Sequence, residues 1–211
     1  MKTIGSTIIM LALASSLFAD NGKELKLASP DGTHEIVFYQ KQVSPAVNEL
    51  CYRVDYKSQP VVNESRAGLE LDNRIWEMAL GVRNLKQPAC WMDNLEVDSV
   101  TYQPETNLTW QPLYGERSSV RDHYRTGTLY LSKKDNSGYR LNIEVRAYNE
   151  GVAFRYFFPE HPKAIFHKVV GDLTEYALPA GTKAWTEQWA QAFFEYLNID
   201  NINQFKVNPA I

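Results

Sequence analysis

Between Tyr139 and Phe158 the chain reads YRLNIEVRAYNEGVAFRYFF, and the first half alternates without a break. Tyr139, Leu141, Ile143, Val145 and Ala147 fall on one side, and Arg140, Asn142, Glu144, Arg146 and Tyr148 on the other. A period of two sends successive side chains to opposite faces, which predicts a half-buried strand. Asn149, Glu150 and Gly151 then supply a turn, with Gly151 suited to the left-handed conformation of a three-residue hairpin loop. Val152 to Phe158 is dense in aromatics and reads as the return strand. At roughly 3.3 Å per residue, each half of this hairpin is about 25 Å long. A lone hairpin is barely stable in water, so this one belongs to a broader sheet.

The rest of the pattern supplies that sheet. Leu25 to Leu27 is a short strand stopped by Ser29-Pro30-Asp31-Gly32, where Pro presets φ and Gly accepts a positive one. His34 to Gln40 is its partner. Glu49 to Tyr56 follows, with Leu50, Tyr52, Val54 and Tyr56 on one face, and Lys57 to Pro60 turns the chain into Val61-Val62. Gly68 to Leu71, Asp93 to Gln103, Thr126 to Ser132 and Leu173 to Leu178 add further strands, and residues 126 to 158 form a three-stranded meander. Two stretches depart from the period of two. Ile75, Met78, Ala79 and Val82 fit a helical stripe, as do Trp185, Trp189, Ala192, Phe193 and Tyr196, so one short C-terminal helix is expected. About ten strands, with turns every eight to twelve residues, predict an all-β fold with two stacked sheets.

Composition is ordinary for a globular chain, with 44% hydrophobic and 22% charged residues in 211. Residues 1 to 19 are expected to lie outside the fold. Lys2, the apolar run Ile8 to Leu13 and the small residues Ser15 to Ala19 make a signal peptide cleaved after Ala19, too short to span a bilayer. Its loss removes one of 22 basic residues, leaving 21 against 25 acidic ones. A mildly acidic chain without a basic cluster argues against nucleic acid as a partner, and no membrane contact is expected after cleavage. Cys51 and Cys90 leave two readings open, a disulfide or two buried thiols. Two cysteines and four scattered histidines make no zinc spacing.

The order and spacing of four segments resemble a known family. Ser29-Pro30-Asp31-Gly32, Gly68-Leu69-Glu70-Leu71, the run from Tyr114 to Tyr124 and the run from Arg146 to Tyr156 look like the N-terminal domain of glycoside hydrolase family 97. The resemblance implies a two-sheet β-supersandwich of the galactose-mutarotase-like kind over residues 20 to 190, with 191 to 211 a divergent tail. In full-length members it precedes a (β/α)₈ barrel in bacterial, secreted or periplasmic, calcium-dependent α-glucosidases and α-galactosidases. A barrel needs about 250 residues, and none follow Ile211 in this sequence, so no catalytic residue can be carried over. Calcium is expected only alongside a complete barrel. Glu195 is the nearest match to a family glutamate that helps to hold it, and one carboxylate cannot supply six to eight oxygens.

Sugar contact remains to be weighed. A tryptophan face stacks on the apolar face of a pyranose while charged neighbours bond its hydroxyls. Trp110, Glu116, Arg117, His123 and Trp185 are the candidates, with packing between the sheets the competing role for each ring. The expected function is a carbohydrate-binding accessory domain, for ligands of the α-glucoside or α-galactoside class, that does not catalyse alone. The alternatives are an interaction module or gene fragment without a ligand, and a self-contained enzyme using Glu116 and Asp122. The segment Trp185 to Tyr196 is expected to expose apolar surface and favour self-association.

Overall fold

The computed structural model describes residues 24–71, 90–133, 138–160, 167–186 and 195–198. These carry twelve strands: β1 (Glu24–Ala28), β2 (His34–Ser44), β3 (Val47–Tyr56), β4 (Gln59–Arg66), β5 (Leu69–Leu71), β6 (Leu95–Trp110), β7 (Val120–Lys133), β8 (Arg140–Tyr148), β9 (Gly151–Phe157), β10 (Val169–Asp172), β11 (Lys183–Thr186) and β12 (Glu195–Asn198). Two four-stranded antiparallel meanders, β1-β2-β3-β4 and β6-β7-β8-β9, form the layers, and the pairs β5–β10 and β11–β12 are separate small sheets. Among the described residues there is no helix.

The alternation seen in β8 decides how the layers meet. Leu141, Ile143, Val145 and Ala147 are fully buried, and their ladder partners Leu131, Leu129 and Gly127 on β7 and Tyr156, Phe154 and Val152 on β9 share that face. Leu25, Leu27, Ile36, Phe38, Leu50, Tyr52 and Val54 of the opposite sheet join them in one hydrophobic core. Contact across the layers is aromatic. The Phe154 ring meets Phe38 edge-on at 5.1 Å and Tyr52 at 5.2 Å. These rings bury the most area per residue and suit the roughly 10 Å gap between stacked sheets. Trp91, in the turn before β6, closes one end, with Tyr139 and Phe158 rings each 5.6 Å away. Gly68 lies against that end because a Cβ there would sit 3.0 Å from the Leu173 side chain and 3.1 Å from Cys90 Sγ.

Two expectations change, and of the two open readings for the cysteines the buried thiols hold. The hairpin loop is two residues long, not three, since pairing runs to Tyr148 opposite Gly151. The helical spacing from Trp185 to Tyr196 is not realised in its described parts. Trp185 on β11 is paired in register with Tyr196 on β12, so both positions lie in strands and not in a helix. The disulfide between Cys51 and Cys90 is absent, and both thiols are free and buried. The pleat explains this: Leu50 and Tyr52 face the core, so Cys51 between them faces outward opposite Tyr39 and Arg66, whereas Cys90 lies inside the core. The stripe at Ile75 to Val82 lies outside the described residues.

Candidate functional site

The turn between β1 and β2 anchors the end of the sandwich where the functional groups gather. Asp31 accepts hydrogen bonds from Ser29 Oγ (2.6 Å), Thr33 N (2.9 Å) and Thr33 Oγ1 (2.9 Å), while Gly32 takes φ +73°. The Ser29 hydroxyl, then the Thr33 amide, hold the Asp31 carboxyl down at about 2. Two other segments bond to this turn. Asp31 N donates to Asn149 Oδ1 (3.0 Å) in the β8–β9 turn, and the Arg125 guanidinium donates to the carbonyls of Ser29 (3.3 Å) and Pro30 (3.4 Å). Arg125 also meets Glu105 (2.9 Å), which is 2.7 Å from His123 Nε2, and those two partners, His123 first, lower the Glu105 pKa.

Beside this anchor a cleft of about 1070 Å³ opens between the two layers, at the edge where β4 ends one sheet and β9 the other. Its floor is Ile36, Tyr52, Val54, Val152, Phe154 and Tyr156. Rings line its wall. His34 and Tyr56 lie 4.7 Å apart at 39°, and the Tyr176 ring meets Tyr52 edge-on at 6.2 Å. Tyr56 and Tyr176 are 39% and 64% exposed, and Lys57 Nζ lies over the Tyr56 ring, so Tyr176 offers the more open ring to a ligand. Asn149, Glu150, Arg155, Asp172 and Thr174 add polar groups. Asp172 is held by Thr174, accepting from its amide (3.0 Å) and hydroxyl (2.6 Å). Burial pushes the Tyr156 phenol up to about 12, so it remains a neutral hydroxyl bonded to Thr174 Oγ1. The size and the mixture of rings and a few convergent polar groups match small-ligand sites, which run to about 1,000 Å³.

The residues expected from the sequence lie elsewhere. Trp110 ends β6 and is exposed, near Leu113 and Tyr114, which are 100% and 90% exposed in the loop 111–119. Glu116 and Arg117 are exposed in that loop. His123 is on β7, committed to Glu105. Asp122 stands on the opposite face of β7, where its charge acts on Arg146. Neither Glu116 nor Asp122 lines the cleft. Trp185 and Glu195 sit on β11 and β12, and their side chains lie outside the description. Among the described residues no group of three or more His, Cys, Asp or Glu side chains gathers in a metal-holding arrangement.

The cleft itself is not legible in the sequence. Alternation puts Tyr56 on one face with Tyr52 and Val54, and Asn149-Glu150 reads only as a turn. Which turn lies beside which ring is a long-range relation, carried here by the Asp31–Asn149 bond across 118 residues.

Known proteins share this architecture. A retaining alpha-galactosidase of Bacteroides thetaiotaomicron is 26% identical over 178 residues, 84% of this chain and 22% of that protein. The structure of a glycoside hydrolase family 97 enzyme from Pseudoalteromonas sp. strain K8 in complex with panose superposes with a TM-score of 0.67 at 24% identity, over 84% of this chain and 25% of the enzyme. A beta-arabinopyranosidase superposes with a TM-score of 0.62 at 17% identity, over 82% of this chain and 26% of that one. The chain therefore spans about a quarter of the length of these relatives. The family described as glycosyl-hydrolase 97 N-terminal matches residues 27–206, which takes in most of the chain, and to that family this protein belongs.

Proposed function

We propose that this sandwich is the carbohydrate-binding, non-catalytic N-terminal unit of a glycoside hydrolase, and that a neutral sugar lies in the cleft between β4 and β9. The observation that carries the reading is the cleft's lining: the exposed residues Tyr56 and Tyr176 beside Asn149, Glu150 and Thr174. A tyrosine face covers the C–H side of a pyranose, and short polar side chains bond its hydroxyls. The relatives act on glycosides, one being an alpha-galactosidase and another binding panose, which supports the α-glucoside or α-galactoside class for this chain. The unit works in the periplasm or outside the cell, and Asp20 is the first residue of the mature chain. Calcium binds only alongside a complete barrel, with Glu195 as one of its ligands, and self-association through the segment Trp185 to Tyr196 is a further part of the reading.

Isothermal titration calorimetry with maltose, panose and melibiose tests the proposal. Binding of at least one sugar in the millimolar range or tighter is expected, weakened tenfold or more by Tyr56→Ala or Tyr176→Ala, together with no turnover of p-nitrophenyl α-glucoside or α-galactoside. Absence of binding to all three sugars overturns the binding role, and turnover by the pure chain overturns the non-catalytic one.

A further inference from the structure

The cleft has a counterpart on the other face of β9. There Gln103, Thr126, Thr128, Tyr130 and Arg146 help to line a groove of about 650 Å³. Alternation explains its polarity. Leu129 and Ile143 turn inward, so their neighbours Thr128 and Glu144 turn outward together, and Thr126 with Arg146 does the same one step along. The groove is pre-formed. The Arg146 guanidinium lies 4.5 Å over the Tyr124 ring, and the Tyr124 and Tyr148 rings lie 5.0 Å apart, tilted at 46°. Glu144 is paired with Arg155.

Cleft and groove adjoin, because Ala153, Phe154 and Arg155 line both. β9 is the last strand of its sheet, so a ligand reaching from one to the other runs over a sheet edge and not through a packed layer. Edge strands also direct alternate N–H and C=O groups outward, where sugar hydroxyls can meet them. Across both cavities three carboxylates, Glu144, Glu150 and Asp172, face two guanidinium groups, Arg146 and Arg155, which suits an uncharged ligand.

From this adjacency across an edge strand we infer that the protein binds a linear neutral oligosaccharide that crosses β9, one end on the tyrosine wall of the cleft and the other on the threonine and arginine face of the groove. The inference rests on the proposed carbohydrate reading of the cleft and adds a second subsite and a requirement for chain length. The test is calorimetry of the purified chain with maltose, maltotriose, maltopentaose and maltoheptaose. Affinity should rise at least tenfold from maltose to maltoheptaose. Arg146→Met should remove that rise and leave maltose binding as it is, while Tyr56→Ala weakens every length. Gln103→Ala, an exposed change on β6 that leaves the β7–β8 ladder intact, should repeat the Arg146→Met result. Equal affinity for all lengths, or groove variants that leave maltoheptaose binding unchanged, overturns the inference and leaves the cleft standing. Failure of every maltooligosaccharide to bind, with panose and melibiose also silent, overturns the cleft as well.

Discussion

Asp31 shows how much one side chain can organise. Its carboxylate accepts three hydrogen bonds within its own turn, and its amide holds Asn149 at the mouth of the cleft. Because the folded pKa is about 2 against an ordinary value near 3.8, the unfolded chain takes up a proton first as pH falls. The stabilisation is therefore complete above about pH 4 and is lost as pH drops toward 2. Urea melts of the wild type should show this loss across that window. Asp31→Asn should be less stable at pH 7 and should lose much of the dependence on pH. An unchanged acid profile in the variant would show that the turn contributes nothing to acid sensitivity.

At the level of the element, the β3–β4 hairpin carries strain that a sequence pattern does not reveal. Tyr56 pairs with Gln59, so the loop is Lys57-Ser58, and both residues have positive φ, +49° and +62°. Two consecutive left-handed positions mark the tight turn that matches the twist of the strands, where Asn and Gly are favoured. Neither residue here is of that kind. Replacing the pair with Asn-Gly should stabilise the protein by about 1 kcal/mol, given the cost of left-handed backbone for L-residues, read as a shift in the urea midpoint at constant slope. The change also touches the cleft wall, since Lys57 Nζ lies 5.0 Å over the Tyr56 ring.

The β6–β7 hairpin shows the opposite case. Its inner half packs Val97, Val100, Leu129 and Leu131 into or against the core, but past the irregularity between Gln103 and Thr106 the ladder continues with exposed residues. There Arg121 binds Asn107 (2.9 Å), and Glu105 ties His123 and Arg125 together. Hydrophobic alternation does not reveal this half, because its pairing is held by polar side chains, not by an apolar face.

At the scale of the whole molecule, the described residues share one core between two sheets, and the two thiols report on it. Burial is the main cause that raises both, Cys51 to about 11 with help from Glu64, and Cys90 inside the core. Since the thiolate is the reactive form, Ellman's reagent should find no reactive thiol in the native chain and two after denaturation. A native thiol count near one would place Cys51 at an opening in the outer face of its sheet, and none after denaturation would restore the disulfide. Global stability should follow the same core. Ile143→Ala removes a fully buried side chain from the central face of β8 and should cost about 2–5 kcal/mol.

What the sequence determined by itself is everything that depends on local period and local turn chemistry. Strict alternation from Tyr139 to Ala147 specified which side chains of β8 enter the core, and Ser29-Pro30-Asp31-Gly32 specified a turn, because both are settled by neighbours two to five positions away. The order of such segments was also enough to place the chain in its family. The tertiary structure alone decided that Cys51 and Cys90 face different ways, that Trp185 and Tyr196 meet as strand partners, and that Tyr56, Asn149 and Tyr176 surround one cleft. Those relations join residues from eleven to more than a hundred positions apart. They arise from how two twisted sheets stack and where their edges stay open, which a one-dimensional pattern does not encode.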